Sequence, residues 1–267
     1  MWEKYARITS ASNQIIKEIR DLLDKKGRTK AGACILEGIK MVEEALNNKV
    51  TIRYLVVSDR YKVQFETVSD RIGQTDVYII PDDLFKRIAT TESPQGILAL
   101  INLPVPDEEL IQPFSKCVIL ENIQDPGNVG TIIRTADACG FDGVLLSKGC
   151  ADPFNPKVLR STMGSIFHIP VITCEDIFYE IEKLKSHHIP IVAAHPRNAA
   201  TLWESPLKGR IAIVIGNEGK GLSERMLELT DIRVMIPMPG KAESFNAAAA
   251  ASILLYESMR QDLSGDR

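Results

Sequence analysis

The sequence predicts an α/β protein whose carboxyl-terminal part is a parallel sheet with helices on both faces, preceded by a smaller α/β domain. Three observations carry this prediction. From Phe114 onward the apolar runs Val118–Leu120, Val144–Leu146, Ile189–Ala194, Ile211–Ile215 and Ile232–Ile236 alternate with helical patterns. Strands that read as nearly continuous hydrophobics are buried on both faces, as in parallel sheets. Earlier in the chain, strand and helix patterns also alternate over roughly a hundred residues. Between the two stretches, Leu103–Pro113 reads LPVPDEELIQP, with three prolines and three consecutive acids, the composition of a linker. The expected layout is therefore an amino-terminal domain over 1–103, a linker over 104–113 and a second domain over 114–267.

Taking the elements in order, Ile15, Ile16, Ile19, Leu22 and Leu23 fall at helical spacing and predict an amphipathic helix over Ser12–Lys26, capped by Ser12 or Asn13. At its far end Lys25, Lys26, Arg28 and Lys30 surround Gly27 in an expected loop. On the residues alone, these are either solvated cations suited to a helix C-terminus or a surface for nucleic acid. Strands are expected at Ala33–Gly38, Ile52–Val57, Val77–Ile80 and Gly96–Ile101, with helices at Ile39–Asn47, Tyr61–Ile72 and Asp82–Ala89. In the second domain, helices are expected at Val129–Cys139, Lys157–Met163, Asp176–His187 and Leu222–Leu229. A last one over Ala247–Met259 is apolar almost all round until Tyr256, which predicts a buried helix.

Bulk properties exclude several classes. The net charge of −3 and pI near 5.9 announce no global nucleic-acid binder, so any such surface is local. The five cysteines, Cys34, Cys117, Cys139, Cys150 and Cys174, form no C-x-x-C pair and read as buried reduced thiols. The four histidines, His168, His187, His188 and His195, form no ligand pattern, so no metal is expected. No apolar run approaches the ~18–20 residues of a membrane span. MWEKYARITS lacks a signal-peptide pattern, and a cytoplasmic location is expected.

Ligands of open parallel sheets bind beyond the carboxyl ends of the strands, and three loops there are unusual. After Val118–Leu120 come Asp125, Gly127, Asn128 and Gly130 at a helix start, with Arg134 about one turn on. This is either an anion cradle or a capped turn. After Ile211–Ile215 comes Gly216-Asn-Glu-Gly-Lys-Gly221; the Walker and dinucleotide spacings both fail there. What remains is a backbone that approaches something closely. After Val234–Ile236 comes Pro237-Met-Pro-Gly-Lys-Ala-Glu-Ser-Phe-Asn246, with Ser244 placed to cap the following helix.

Together the three loops resemble the motifs of the SpoU (TrmH-type) family of SPOUT-class RNA methyltransferases. Asn122, Asp125-Pro126-Gly127-Asn128, Gly130 and Arg134 match the first motif, and Gly216, Glu218, Gly219 and Gly221 the second. Ile236-Pro237-Met238, Gly240, Ser244 and Asn246 match the third, in the family's order and spacing. Phe245 stands where leucine is usual, and Ala247–Ala251 replaces a Val-Ser-Val-Ala type of run. The amino-terminal half resembles the substrate-binding domain of such enzymes, an α/β module like that of certain RNA-binding ribosomal proteins. That likeness makes Lys25, Lys26, Arg28 and Lys30 candidates for contacting RNA.

The resemblance implies a deep trefoil knot, a homodimer completing the site, and S-adenosylmethionine bound around Gly216, Ile236 and Phe245. It implies methylation of a ribose 2′-hydroxyl, with 23S ribosomal RNA as the first expectation and tRNA as the second. Arg134 is then the central catalytic residue, with Asn128, Glu218, Ser244 and Asn246 ordering the site. A guanidinium is a poor proton acceptor, so Arg134 is read as a clamp on an RNA phosphate that also stabilises developing alkoxide. The rival of another class is a non-catalytic RNA-binding or ribosome-assembly protein on the same fold.

Overall fold

The computed structural model of the chain describes residues 2–104, 114–195 and 199–265. It divides into two units, Met1–Val105 with Phe154–Phe167, and Pro106–Pro153 with His168–Arg267. Beyond Pro104, the expected linker over 104–113 lies outside the described residues.

The first unit begins with a two-residue strand, β1 (Ala6–Arg7), and α1 (Gln14–Asp21). Asn13 sets the start of α1, its Oδ1 accepting the Ile15 N–H at 2.9 Å. The single helix expected over Ser12–Lys26 is in fact two, and the basic stretch read as a loop is α2 (Lys25–Ala31). The chain folds back so tightly here that a Cβ on Gly27 would lie 1.8 Å from Asp21 O. Arg28 closes the turn: it is 2% exposed and its guanidinium donates to Leu22 O at 2.9 Å and Leu23 O at 3.0 Å. It thereby satisfies carbonyls that the end of α1 leaves open. Lys25, Lys26 and Lys30 stay exposed, whereas Arg28, read with them as a surface cation, is held inside the turn.

There follow β2 (Ala33–Glu37), α3 (Ile39–Asn47), β3 (Ile52–Ser58), α4 (Lys62–Ser69), β4 (Asp76–Ile80), α5 (Asp82–Lys86) and β5 (Ile97–Asn102). The sheet order is β1-β4-β3-β5-β2, with β5 antiparallel to both its neighbours and the other pairings parallel. Ile16 and Ile19 of α1 and Phe85 of α5 pack with Leu98 and Leu100 of β5 in one core.

The rest of the chain forms β6 (Lys116–Leu120), α6 (Pro126–Ala138), β7 (Gly143–Leu146), α7 (Pro156–Thr162), β8 (Val171–Thr173), α8 (Ile177–Ser186) and β9 (Ile191–Ala194). β10 (Ala200–Thr201), β11 (Ile211–Ile215), α9 (Glu224–Leu229), β12 (Ile232–Met235) and α10 (Ala247–Gly265) complete it. The helix α7, within the stretch read as the second domain, groups with the first unit. Arg160 Nη1 donates to Thr90 Oγ1 and lies 4.0 Å from the Glu37 carboxylate, which also accepts the Thr90 N–H at 2.7 Å.

The second sheet is parallel throughout, in the order β10-β12-β9-β11-β6-β7-β8. Every residue of β6, β7 and β11 is buried, as their unbroken apolar runs required. β8 and β10, at three and two residues, are too short to leave such a run. The late strand β11 sits between β6 and β9, and β12 sits beyond β9. This order brings the loops after β6, β11 and β12 to one end of the sheet.

The last helix departs from its expectation. Ala248, Ala251, Leu254 and Leu255 are buried, but Ala249 and Tyr256 are exposed, so α10 buries one face rather than its whole girth. It also runs past Met259 to Gly265, because its final turns are tied to the strand starts: Lys116 pairs with Asp262, which also accepts the Gly209 N–H at 2.7 Å. Burial works against ionisation of Asp262, but the hydrogen bonds from Lys116 and Gly209 outweigh it and hold the carboxyl below its ordinary value of 3.8. A lowered native pKa adds stability above the unfolded-state value and loses it as pH falls through the native one. Asp262→Asn should therefore destabilise the chain at about pH 7 by no more than about 1 kcal/mol, screened by the partial exposure of Asp262, and lower the melting temperature accordingly. The difference from wild type should vanish in acid, and an equal penalty at both pH values would rule out the ionic origin.

Candidate active site

The site is built on three polar side chains that lie far apart in sequence. Asp125 caps α6, its Oδ1 accepting the Asn128 N–H at 2.9 Å, and Pro126 occupies the first turn. This cap presents the Asn128 side chain. Asn128 Nδ2 donates to Glu218 Oε1 at 2.6 Å, and Asn246 Nδ2 donates to Asn128 Oδ1 at 3.0 Å. One residue from each loop thus forms a continuous string. Asn246 also caps α10, its Oδ1 accepting the N–H groups of Ala248 at 2.9 Å and Ala249 at 3.2 Å. The capping role expected for Ser244 belongs to Asn246, the residue directly before the helix. Ser244 is left facing the cavity described next.

Beside the string lies a cavity of about 810 Å³ lined by Gly216 to Leu222 on one side and by Ile236, Met238, Ser244 and Phe245 on another, with His195 at the end of β9. The volume falls within the few hundred to ~1,000 Å³ of small-molecule sites. Gly216 admits no side chain: a Cβ would lie 2.6 Å from Gly221 C and 2.7 Å from Leu222 N. The loop closes on itself through Asn217 N–H to Gly221 O at 3.1 Å and Gly221 N–H to Asn217 O at 2.9 Å. Asn217 Oδ1 accepts the N–H groups of both Gly219 and Lys220 at 3.0 Å. The chain therefore offers apolar walls from Leu222, Ile236 and Phe245, main-chain groups between them, and a carboxylate at Glu218.

Arg134 lies elsewhere. It is exposed on α6 and lines a separate concavity with Thr131, Thr135, Ser252, Ile253 and Tyr256. So Gly216, Ile236, Phe245, Glu218 and Ser244 share one cavity, Asn128 and Asn246 join it through hydrogen bonds, and Arg134 does not line it. Asn217, Glu121 and Ser223 escaped the sequence reading. An asparagine two and three residues before glycine-rich N–H donors is a turn-former's signature and marks Asn217, whereas no local signal marks the other two. Among the described residues, no group of three or more His, Cys, Asp or Glu side chains is placed to hold a metal, and no helix is long and apolar enough to cross a membrane.

A cavity beyond the carboxyl ends of a parallel sheet, walled by main chain and edged by a polar side-chain string, is the ligand site of an α/β enzyme. The chain belongs to the SpoU rRNA Methylase family, whose profile matches residues 115–256. Residues 13–99 match the MRM3-like substrate binding domain. The 23S rRNA (guanosine(2553)-2′-O)-methyltransferase RlmP of Bacillus subtilis is 39% identical over 94% of this chain and 98% of its own. The 23S rRNA (uridine(2479)-2′-O)-methyltransferase of Streptomyces viridochromogenes is 29% identical over 97% and 93%. Among solved structures, the AdoMet bound rRNA methyltransferase of Sinorhizobium meliloti superposes with a TM-score of 0.86 at 30% identity, over 97% of this chain and 98% of that one.

Proposed function

We propose that this chain transfers the methyl group of S-adenosylmethionine to a ribose 2′-hydroxyl of 23S ribosomal RNA. The observation that carries the reading is the Asn246–Asn128–Glu218 string on the rim of the Gly216–Phe245 cavity. A non-catalytic descendant of the fold has no need to keep three polar residues from distant loops in register. Two relatives that act on 23S ribosomal RNA, each aligned over more than nine-tenths of this chain, favour that substrate over tRNA.

The residues present fit S-adenosylmethionine. Leu222, Ile236 and Phe245 offer apolar faces for an adenine, and the Gly216–Gly221 main chain offers its polar edge. When bound, the sulfonium supplies an activated methyl group with a good leaving group, so the protein's task is alignment and proton management. Asn128, held by both Glu218 and Asn246, fixes the geometry on the substrate side, and Ser244 faces the same space. Glu218 receives the hydroxyl proton, directly or through water. Arg134 clamps an RNA phosphate and stabilises developing alkoxide. Because Arg134 lies outside the cavity, a second copy completes the site, with the half-buried Ile253 and the exposed Tyr256 of α10 as part of the contact. We assign 1–103 to the substrate-binding domain with Lys25, Lys26 and Lys30 facing RNA, and 114–267, apart from the α7 segment that groups with the first unit, to the methyltransferase domain with its trefoil knot; the enzyme works in the cytoplasm.

The test is transfer of labelled methyl groups from S-adenosylmethionine to purified 23S ribosomal RNA and, separately, to tRNA, followed by nucleoside analysis. A 2′-O-methylnucleoside in ribosomal RNA alone is expected. Base methylation, or label in tRNA alone, would overturn the proposal.

A further inference from the structure

The residue before the first motif, Glu121, is 3% exposed at the carboxyl end of β6. Its carboxylate accepts the Ser223 N–H at 2.9 Å and the Ser223 hydroxyl at 2.6 Å, and these are its partners among the described residues. Ser223 in turn caps α9, its Oγ accepting the Met226 N–H at 3.2 Å. One residue along, Asn122 O accepts from Asn217 Nδ2 at 2.8 Å, and the Glu121 N–H donates to Ile215 O at 2.9 Å.

The loop Gly216–Leu222, every residue of which lines the cavity, is thus pinned to β6 at its start through Asn217 and just past its end through Ser223. A buried carboxylate whose partners among the described residues are one serine's N–H and hydroxyl is a poor choice for stability. Its desolvation is costly, and apolar replacements of similar volume are often neutral or stabilising. Its neighbours Leu120 and Ile123 are themselves fully buried. Such a charge is explained by what it positions.

We propose that Glu121 is a positioning residue for the cofactor. Through Ser223 it sets the span of the Gly216–Leu222 loop, whose other end Asn217 ties to Asn122 of the segment carrying Asn128. The inference rests on the cavity being the S-adenosylmethionine site. Its consequence is a split between affinity and turnover, because Ser223 anchors the loop beyond Leu222, whereas Glu218 within the loop is held separately by Asn128.

Calorimetry with S-adenosylmethionine on the full chain, together with initial rates on ribosomal RNA, tests it. Glu121→Met keeps the unbranched shape without the charge. It should weaken cofactor binding about tenfold, leave the rate at saturating cofactor within about twofold, and leave the melting temperature unchanged or raised. Glu121→Gln still offers Ser223 an acceptor and a donor, and should recover most of the affinity. An unchanged Glu121→Met binding constant would overturn the inference while leaving the cofactor site in place. A parallel fall in melting temperature and affinity, not relieved by Glu121→Gln, would make the residue structural and overturn it equally. Absence of binding to the wild-type chain would instead refute the cofactor site, and the pin's role with it.

Discussion

Arg134→Ala is expected to lower methyl transfer by about 10²–10³, the usual loss on removing one preorganised charge donor, while S-adenosylmethionine still binds with wild-type affinity. The expectation comes from where the side chain stands. Arg134 is exposed on the outer face of α6, and among the described residues no hydrogen bond or ion pair engages its side chain. A guanidinium in that state is available for a phosphate, which it grips bidentately. It does not line the cavity of Gly216, Ile236 and Phe245, so its loss leaves the cofactor's contacts intact. Arg134→Lys should recover little, because an ammonium keeps the charge but not the fork. Near-wild-type turnover of Arg134→Ala would show that the residue is not catalytic, and a parallel loss of cofactor affinity would move it to the cofactor side.

Gly216→Ala is expected to weaken S-adenosylmethionine binding about tenfold to a hundredfold, equivalent to the ~1–3 kcal/mol of an overpacked site. The added methyl would meet Gly221 C at 2.6 Å and Leu222 N at 2.7 Å. Both are backbone atoms of the same loop, so no side chain can move aside, and the loop itself must open. Opening it strains the paired Asn217–Gly221 hydrogen bonds and shifts Glu218, which Asn128 holds at 2.6 Å. Both binding and turnover should therefore suffer, in contrast to Arg134→Ala. By comparison, Gly219→Ala has its nearest contact at 3.7 Å, from Asn217 Oδ1, and should bind nearly as wild type. Equal affinities for wild type and Gly216→Ala, measured by calorimetry, would show that the cofactor does not depend on this turn.

The strands and helices that bury continuous or periodic apolar residues were legible in the sequence because burial leaves its pattern locally. β11 spans Ile211–Ile215 and α3 spans Ile39–Asn47, as the hydrophobic runs indicated. What the pattern could not carry was set by contacts between distant residues. The break between α1 and α2 depends on Arg28 reaching back to Leu22 and Leu23, and a cationic cluster looks the same whether its members face water or cap a carbonyl. The exposed side of α10 reads as apolar because alanine is silent about which face is covered. For the site, glycine spacing and motif order located the loops. The pairing of Asn128 with both Glu218 and Asn246, across 90 and 118 residues, required the sheet order that sets β11 beside β6. Glu121 stayed hidden because its partner, Ser223, lies 102 residues away.

The most direct measurement is a map of 2′-O-methylation across ribosomal RNA and tRNA from cells lacking this chain, repeated after restoring either the wild-type or the Arg134→Ala form. One 23S ribosomal RNA position is expected to lose its 2′-O-methyl group, regain it with the wild-type chain and stay unmodified with Arg134→Ala. Unaltered ribosomal RNA methylation in those cells, or full restoration by Arg134→Ala, would contradict the proposed function.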